Sequence, residues 1–433
     1  MKKKVCYIQY EIENRELRSR LYLALKLLDI NTSVVVFQHS QLPSIALFAT
    51  PGIILLKSTP IQFDYIYKHM IHRGFTILAW QEEGIHHNDH QLESPVFSKF
   101  SSNLISKYYA WHPADAAFAI RQGVNPSSIT VTGNIRMELA SSVPNYKTQQ
   151  RNTEKMRILV ITNFDTSQIH YNYKQDRNIS AATAENENKL IDSVNLIASK
   201  NILLYREMLD HPESANYEFT IRPYVYEKKP LKHVSAKIDG NNSIFESFKS
   251  TDIVLHYGST AGIEGIVSGC LSLLLTSEVG AFDERILRSS KLFTNCTSLF
   301  SYLTEININK HLYRRDLSYQ QSELEKNYDF NFSNSFQSTE ILDFMSTNST
   351  TNSVLKHRSS FFLVLIKFFY NIVKNRIRKF KSKTNFKKSS KLTSYKIFKE
   401  LESLNADLKV QIIISKKGKI LTLNHDSIKI KSV

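Results

Sequence analysis

The sequence predicts an α/β protein with two doubly wound, Rossmann-like domains that face a cleft, followed by a basic C-terminal tail. Short apolar segments alternate with amphipathic helical segments from Val5 to about Leu275, and a polar stretch interrupts the alternation at residues 141–155. Such alternation is typical of parallel sheets that are covered by helices on both faces. A chain of 433 residues is too long for a single core and long enough for two such domains.

The first part of the chain, residues 1–145, is predicted to form the N-terminal domain. Its apolar segments have the length and composition of strands: Val5–Tyr10, Val34–Phe37, Gly52–Leu55, Thr76–Ala79, Lys107–Trp111 and Ile129–Thr132. The segments between them have helical periodicity: Arg15–Leu28, Leu42–Phe48, Gln62–His72 and Ala114–Gln122. The polar residues that follow this series predict a link to a second domain.

Residues 155–330 are predicted to form the second domain. Its strands are Arg157–Thr162, Glu218–Arg222, Ile253–Leu255 and Leu271–Leu275, and its clearest helices are Glu185–Leu209 and Ala261–Ser268. Doubly wound sheets bind ligands outside the carboxyl ends of their strands. Polar clusters follow many strands of this chain directly, so the sequence places the functional site at those strand ends.

The strongest candidate is the stretch Thr251–Leu275, TDIVLHYGSTAGIEGIVSGCLSLLL, which is predicted to fold as strand, tight turn, helix and strand. A helix N-terminus with free N–H groups attracts anions. We therefore expect a phosphate site at the turn, with Glu264 directed at ribose or sugar hydroxyls. The predicted phosphate-binding residues are His256, Gly258, Ser259 and Thr260. An ordinary strand–helix turn with Ser259 as N-cap is the alternative.

Four further groups follow predicted strands. Arg222 has a guanidinium that can grip a phosphate or carboxylate. Glu82 and Glu83 are candidates for a general base that deprotonates an acceptor hydroxyl. The remaining candidates are expected to line the cleft on the acceptor side: Glu11, Asn134 and Arg136. The structural alternative for Glu82 and Glu83 is a charge pair at a helix start or in a loop, and for Asn134 and Arg136 it is a turn with an exposed arginine.

The net charge of +16 is confined to the C-terminal part of the chain. Residues 351–433 hold 20 of the 56 Lys and Arg residues and 4 of the 40 Asp and Glu residues. We interpret 331–355 as a linker, 356–390 as a basic amphipathic segment, and 391–433 as a small appendage with strands at Val410–Ile414, Ile420–Leu423 and Ile428–Ile430. The segment 361–390 is expected to lie on an anionic membrane surface, or else to pack on the protein body.

The charge distribution, the cysteines and the motifs disfavour several kinds of protein. Residues 1–350 are neutral overall, so a nucleic-acid partner is not expected. The cysteines Cys6, Cys270 and Cys296 are widely spaced and read as buried thiols of a reducing compartment. No signal peptide or membrane span is expected, which favours the cytoplasmic face of a membrane. The cluster HHNDH at 86–90 lacks metal-site spacing and no Asp-x-Asp pair is present, so neither a metal nor a cofactor is expected.

Six segments, in this order, resemble the bacterial surface carbohydrate biosynthesis proteins, which are related to the GT-B glycosyltransferases of capsule, lipopolysaccharide and teichoic-acid assembly. The segments are REL…LALKLL (15–28), GFTILAWQEEG (74–84), YYAWHP…ITVTGNIRMEL (108–139), RILVITNF (157–164), TIRPY (220–224) and STDIVLHYGSTAGIEGIVSG (250–269). The resemblance implies a GT-B fold with a nucleotide-sugar donor in the second domain and a glycan acceptor in the first.

The chain departs from that family at two places. Arg222-Pro223-Tyr224-Val225 stands where the family usually has Arg-Pro-His-Pro, and Asn134-Ile135-Arg136 stands where it usually has Asn-Pro-Arg. The expected function is a metal-independent glycosyltransferase that moves a sugar from a nucleotide-sugar to a surface polysaccharide or lipid-linked glycan. The alternatives are a nucleotide-sugar 2-epimerase, a polyol-phosphate transferase, and a catalytically degenerate scaffold at the membrane, which the missing histidine would favour.

Overall fold

The computed structural model describes residues 4–28, 32–57, 59, 63–80, 102–142, 155–162, 181–224, 227, 231–239, 243–278, 284–328, 337–347, 410–414, 420–425 and 430–432. These residues divide into two compact units. Unit 1 takes the described residues of Met1–Gly84, Phe97–Leu139 and Ser333–Val433, and unit 2 takes those of Ala140–Phe332. The chain therefore leaves unit 1, forms unit 2, and returns to unit 1.

Unit 1 is built on a parallel sheet with strand order β2-β1-β3-β4-β5-β6. The strands are β1 (Lys4–Tyr10), β2 (Thr32–Gln38), β3 (Ile53–Leu56), β4 (Thr76–Trp80), β5 (Lys107–Ala110) and β6 (Ile129–Val131). All four residues of β3 are buried, as expected for a strand covered on both faces. The central position of β1 places its carboxyl end between those of β2 and β3.

Helices cover both faces of this sheet and form two apolar cores. They are α1 (Glu13–Leu27), α2 (Leu42–Phe48), α3 (Asp64–His72), α4 (Pro113–Arg121) and α5 (Ile135–Ser141). Leu17, Leu21 and Ala24 of α1 recur at helical spacing and lie in one core. The other core takes Ile66 and Met70 of α3, so the opposite faces of the sheet are buried by different helices.

Unit 2 has a parallel sheet with strand order β12-β11-β10-β7-β8-β9. The strands are β7 (Arg157–Ile161), β8 (Glu218–Arg222), β9 (Ala236–Ile238), β10 (Ile253–His256), β11 (Leu271–Leu275) and β12 (Lys291–Phe293). The helices are α6 (Ala181–Asp210), α7 (Ile244–Lys249), α8 (Thr260–Val267), α9 (Glu284–Ser289), α10 (Cys296–Ile308) and α11 (Lys310–Tyr328). Each unit is thus a doubly wound α/β layer, as the sequence predicts.

The segment 331–355, interpreted above as a linker, contains the helix α12 (Gln337–Thr347). A helix forms here instead of a linker, because Ile341 and Met345, one helical turn apart, are buried in the unit 1 core that also holds α1. Ser338, in the first turn of α12, donates its hydroxyl to the buried Glu138 carboxylate at 2.7 Å. The interpretation as a linker is therefore wrong for these residues.

The C-terminal strands do not form the separate appendage that the sequence predicts. They are β13 (Val410–Ile414), β14 (Ile420–His425) and β15 (Ile430–Ser432), and β14 pairs antiparallel with β2. This pairing extends the first sheet to nine strands and makes β15 its new edge. The basic segment 356–390 lies outside the described residues. Among the helices that are described, none is both long and apolar enough to cross a bilayer.

Candidate functional site

The turn Tyr257–Ser259 at the carboxyl end of β10 has the predicted strand–turn–helix geometry. β10 lies between β7 and β11, in the middle of its sheet. Gly258 has φ of 60°, in the left-handed region that favours glycine. Ser259 caps α8, because its Oγ accepts the Ala261 N–H at 3.2 Å. The helix N-terminus therefore opens at the strand ends, where ligands of such sheets bind.

His256 does not face this opening. Its side chain is fully buried: Nδ1 accepts the Ser259 N–H at 3.1 Å, and Nε2 lies 2.9 Å from Ser272 Oγ and 3.2 Å from Ser290 Oγ. Burial lowers the pKa of His256 from 6.5 to about 3, so the ring is neutral. The predicted contact between His256 and a phosphate is not what the structure shows. The ring instead supports the turn from behind.

The close packing of His256 explains Gly262. A Cβ atom at position 262 would overlap Nε2 of the His256 ring. Ser272 is fixed in turn by α11, since Gln320 accepts the Ser272 N–H at 2.9 Å and donates to the Ser272 carbonyl at 2.6 Å. A buried polar network thus runs from the turn through β11 to α11.

The donors that the turn offers to a ligand can be counted from these contacts. The N–H groups of Ser259, Ala261 and Gly262 bond inside the turn, to His256 Nδ1, Ser259 Oγ and the Ser259 carbonyl. Within the described part of the chain, the turn can still offer a ligand the N–H groups of Gly258 and Thr260 and the hydroxyls of Ser259 and Thr260. Glu264 lies one helical turn after Thr260 on the same face of α8 and is fully buried.

Arg222 ends β8 and is already paired within unit 2. Its Nη1 donates to Asp239 Oδ2 at 2.9 Å and to Ser247 Oγ at 3.1 Å, and the ion pair is largely shielded from solvent. Asp239 therefore fixes the guanidinium and offsets part of its charge. The sequence analysis missed Asp239, because the strand that it directly follows, β9, is only three residues long and was not predicted.

Glu227 lies at the ends of β7 and β8, beside the place where the family resemblance expects His-Pro. One of its oxygens accepts the Thr162 hydroxyl at 2.6 Å and the Tyr224 N–H at 3.2 Å. A carboxylate is thus held beside Thr162 and Tyr224. It makes this part of the strand ends less favourable for phosphate than the turn after β10.

The predicted acceptor residues Asn134 and Arg136 lie at the start of α5. Asn134 is buried and acts as an N-cap, because its Oδ1 accepts the Arg136 N–H at 2.8 Å and its carbonyl accepts the Glu138 N–H at 3.0 Å. Arg136 is also buried. The segment is therefore not a turn with an exposed arginine, since Asn134 caps α5 and Arg136 is buried within it.

Glu11, by contrast, belongs to a polar cluster that the sequence analysis did not assemble. It is half exposed and pairs with Lys57 at 2.9 Å, and Lys57 also reaches the buried Glu16 at 3.3 Å. Gln9 and His39 complete the cluster through a direct side-chain contact. Gln9 lies near the end of β1, and His39 and Lys57 directly follow β2 and β3, so their placement after strands was the available signal.

The proposed bases Glu82 and Glu83 lie outside the described residues, as does the HHNDH cluster. No group of three or more metal-ligating side chains occurs among the residues that are described.

No protein-family model matches the chain, and no curated protein sequence matches it. Solved structures are similar to it in fold. One is MnaA from S. aureus, solved with UDP, at 13% identity and a TM-score of 0.50, covering 80% of this chain and 96% of that one. A second is a UDP-GlcNAc 2-epimerase from Neisseria meningitidis bound to UDP-GlcNAc, at 12% identity and a TM-score of 0.48, covering 80% of this chain and 100% of that one. A third is the wall teichoic acid polymerase TagF, at 11% identity and a TM-score of 0.47, covering 80% of this chain and 89% of that one.

The MnaA comparison and the two sheets together show the fold class. The chain is an α/β protein of the GT-B type, as the sequence predicts.

Proposed function

We propose that this chain is a glycosyltransferase that moves a sugar from a nucleotide-sugar donor to a surface polysaccharide or lipid-linked glycan. The observation that carries the proposal is the capped turn after β10, which opens a helix N-terminus at the middle of a doubly wound sheet. A helix N-terminus in this position is suited to a diphosphate. The GT-B fold and the sequence resemblance support a nucleotide-sugar as the ligand that carries it.

In this proposal, Ser259 and Thr260 hold the donor diphosphate through their hydroxyls and the Thr260 N–H. Gly258 allows the backbone to approach it. His256 positions the turn through the Ser259 N–H and makes no direct contact with the donor. Glu264 is fully buried, so it makes no contact with the donor in this proposal, and Arg222, oriented by Asp239, takes an acidic group of the donor.

The reaction breaks the bond between the anomeric carbon and the diphosphate oxygen and forms a bond from that carbon to an acceptor oxygen. Glu82 or Glu83 removes the acceptor proton, and the nucleoside diphosphate leaves with the bonding electron pair. Glu11, Asn134 and Arg136 shape the acceptor side, the latter two by fixing the start of α5. The proposal uses the nucleotide-sugar as a substrate, without a metal or a cofactor.

The test is UDP binding by calorimetry and donor turnover with the variant Ser259→Ala/Thr260→Ala. Removing both hydroxyls is expected to weaken UDP binding ~100-fold or more, because hydrogen bonds to charged groups contribute ~1.5–3 kcal/mol each. Asn295→Ala is the matched control, since Asn295 caps α10 in the same way, two strands away from β10. Equal binding and turnover in the double variant and the control would refute the phosphate role.

The proposal places the protein at the cytoplasmic face of a bacterial membrane through the basic segment 361–390. A C-terminal truncation is a poor test, because β13, β14 and β15 belong to the first sheet. Replacing the Lys and Arg residues of 374–388 with Gln keeps those strands. We expect the variant to lose binding to vesicles with anionic lipid and to keep its UDP affinity. Unchanged vesicle binding would refute the membrane role.

A nucleotide-sugar 2-epimerase is the second candidate, because a protein of similar fold has been solved with UDP, a nucleotide that either reaction could use. Incubation with UDP-GlcNAc and no acceptor separates the two. An epimerase produces the 2-epimer without acceptor, whereas a transferase needs acceptor for turnover. A protein that binds no nucleotide-sugar at all would instead be the degenerate scaffold.

A further inference from the structure

The cluster around His39 in unit 1 surrounds Glu11, one of the residues proposed above for the acceptor side. Its members come from three adjacent strands, since the sheet order is β2-β1-β3. Gln9 lies near the end of β1, His39 follows β2, and Lys57 follows β3. Ligands bind outside the carboxyl ends of such strands, so the cluster lies where a ligand of unit 1 would bind.

A chain of hydrogen bonds fixes the proton on His39. The Lys57 backbone N–H donates to Gln9 Oε1 at 3.1 Å. This contact sets the orientation of the Gln9 amide, so that its Nε2–H points at Nδ1 of His39 and donates to it. Nδ1 is then an acceptor, and the proton of the neutral ring is on Nε2. Burial lowers the pKa of His39 below its ordinary value, the Glu11 carboxylate opposes this effect and the Lys57 ammonium adds to it.

The charges around His39 favour a neutral ligand. One ammonium, on Lys57, lies between two carboxylates, at 2.9 Å from Glu11 and 3.3 Å from Glu16. Arg20 adds a second cation, because its Nε donates to the Gln9 carbonyl at 2.9 Å. Two cations therefore face two carboxylates, and the cluster has no excess of positive charge to hold a phosphate group. A sugar hydroxyl fits better, because it accepts from an N–H and donates to a carboxylate. The side chain of Glu11 is 52% exposed and so is accessible to such a hydroxyl. Phe63 packs edge-on against the His39 ring at 5.4 Å and adds an apolar wall.

We propose that His39 and Glu11 form a hydroxyl-binding subsite of unit 1, in which His39 donates from Nε2 and Glu11 accepts. Lys57 and Gln9 are positioning residues for the two. The identification of the bound hydroxyl as that of the glycan acceptor rests on the proposed function. The subsite itself rests on the geometry of unit 1.

Two variants of His39 test the donor role. In His39→Asn, the amide oxygen can take the place of Nδ1 and keep the bond from Gln9, but no donor reaches the position of Nε2. In His39→Gln, the amide nitrogen can occupy the position of Nε2 and keep the donor. The probe is octyl β-N-acetylglucosaminide, and its binding to the full chain is measured by saturation-transfer NMR. We expect ~3–10-fold weaker binding for His39→Asn and less than about 2-fold for His39→Gln.

The proton position has its own readout. In ¹⁵N-histidine-labelled protein, the His39 signals are assigned by their loss in His39→Asn. We expect Nδ1 to be unprotonated in the wild type and protonated in Gln9→Glu, because the new carboxylate can only accept. A protonated Nδ1 in the wild type, equal probe binding by the two His39 variants, or no saturable probe binding to the wild type would each overturn the subsite.

UDP titration of the same samples separates this inference from the proposed function. UDP binding that is equal in the wild type and both His39 variants, together with unchanged probe binding, refutes only the subsite. Absence of UDP binding to the wild type, together with the expected probe binding, refutes the proposed function and leaves the subsite in place.

Discussion

The substitution Gly262→Ala is expected to destabilise unit 2, although alanine is the better helix former. Gly262 is the third residue of α8, and propensity alone predicts a gain of ~1 kcal/mol for the change. The added Cβ would overlap Nε2 of His256, which lies within hydrogen-bonding distance of Ser272 in β11 and of Ser290, the residue after α9. The ring would have to move away from Ser272 and Ser290.

The magnitude follows from the contacts that are lost. Overpacking a well-packed core costs ~1–3 kcal/mol. The two hydrogen bonds of Nε2 contribute ~1 kcal/mol each. Subtracting the gain in helix propensity leaves a net loss of about 2–4 kcal/mol.

Hydrogen exchange followed by mass spectrometry on peptides from residues 253–275 measures this loss locally. It is preferable to tryptophan fluorescence, because both tryptophans, Trp80 and Trp111, lie in unit 1. A double-mutant cycle with His256→Ala isolates the clash. In the His256→Ala background, Gly262→Ala is expected to be neutral or to stabilise by up to ~1 kcal/mol. The clash would be refuted if Gly262→Ala accelerated exchange equally with and without His256→Ala. It would also be refuted if Gly262→Ala alone slowed exchange.

Three further predictions concern other contacts. The pKa of His256 is about 3 in the folded chain and 6.5 in the unfolded one, so at mildly acidic pH only the unfolded state binds the extra proton. The unfolding free energy of unit 2 should therefore fall by about 2 kcal/mol between pH 6.5 and 5, and His256→Ala should flatten this dependence in the same exchange assay. Asp239→Asn should cost ~3 kcal/mol of unfolding free energy, because it removes the carboxylate that pairs with Arg222 in a shielded site, whereas Lys249→Ala should cost less than ~0.5 kcal/mol because its pair with Glu246 is more exposed. Equal effects of the two variants in urea titrations would contradict this prediction. Ile341→Ala should cost ~2–5 kcal/mol in unit 1, as reported by tryptophan fluorescence, whereas a true linker would show no effect.

Periodicity was enough to predict most of the two sheets. The burial of β3 and β10 shows as short unbroken apolar runs, and α1 shows as a repeat of leucines on one face. Composition misled at α12. Its flanks are rich in Ser, Thr and Asn, and the apolar residues that bury it occupy only two turns of helix. Whether so short an apolar face is buried depends on a partner, here α1, that is about 300 residues away in the sequence.

The site was predictable in outline but not in its contacts. The position of the turn after β10 followed from the alternation of strands and helices. That His256 lies behind the turn depends on Ser272, Ser290 and Gln320, which come from three later elements. The His39 subsite depends on strand order: the β2-β1-β3 arrangement brings three strand ends together, and strand order is not written in any local pattern.

The pairing of β14 with β2 has a consequence for synthesis of the chain. β2 is complete at Gln38, but the strand that covers its edge begins only at Ile420. At ~5–20 residues per second, a ribosome needs about 20–75 s to make the residues between them. During that time β2 presents an open edge rich in valine, of the kind that pairs with other chains. Unit 2 can fold in this interval, whereas unit 1 is completed only when the last strands emerge.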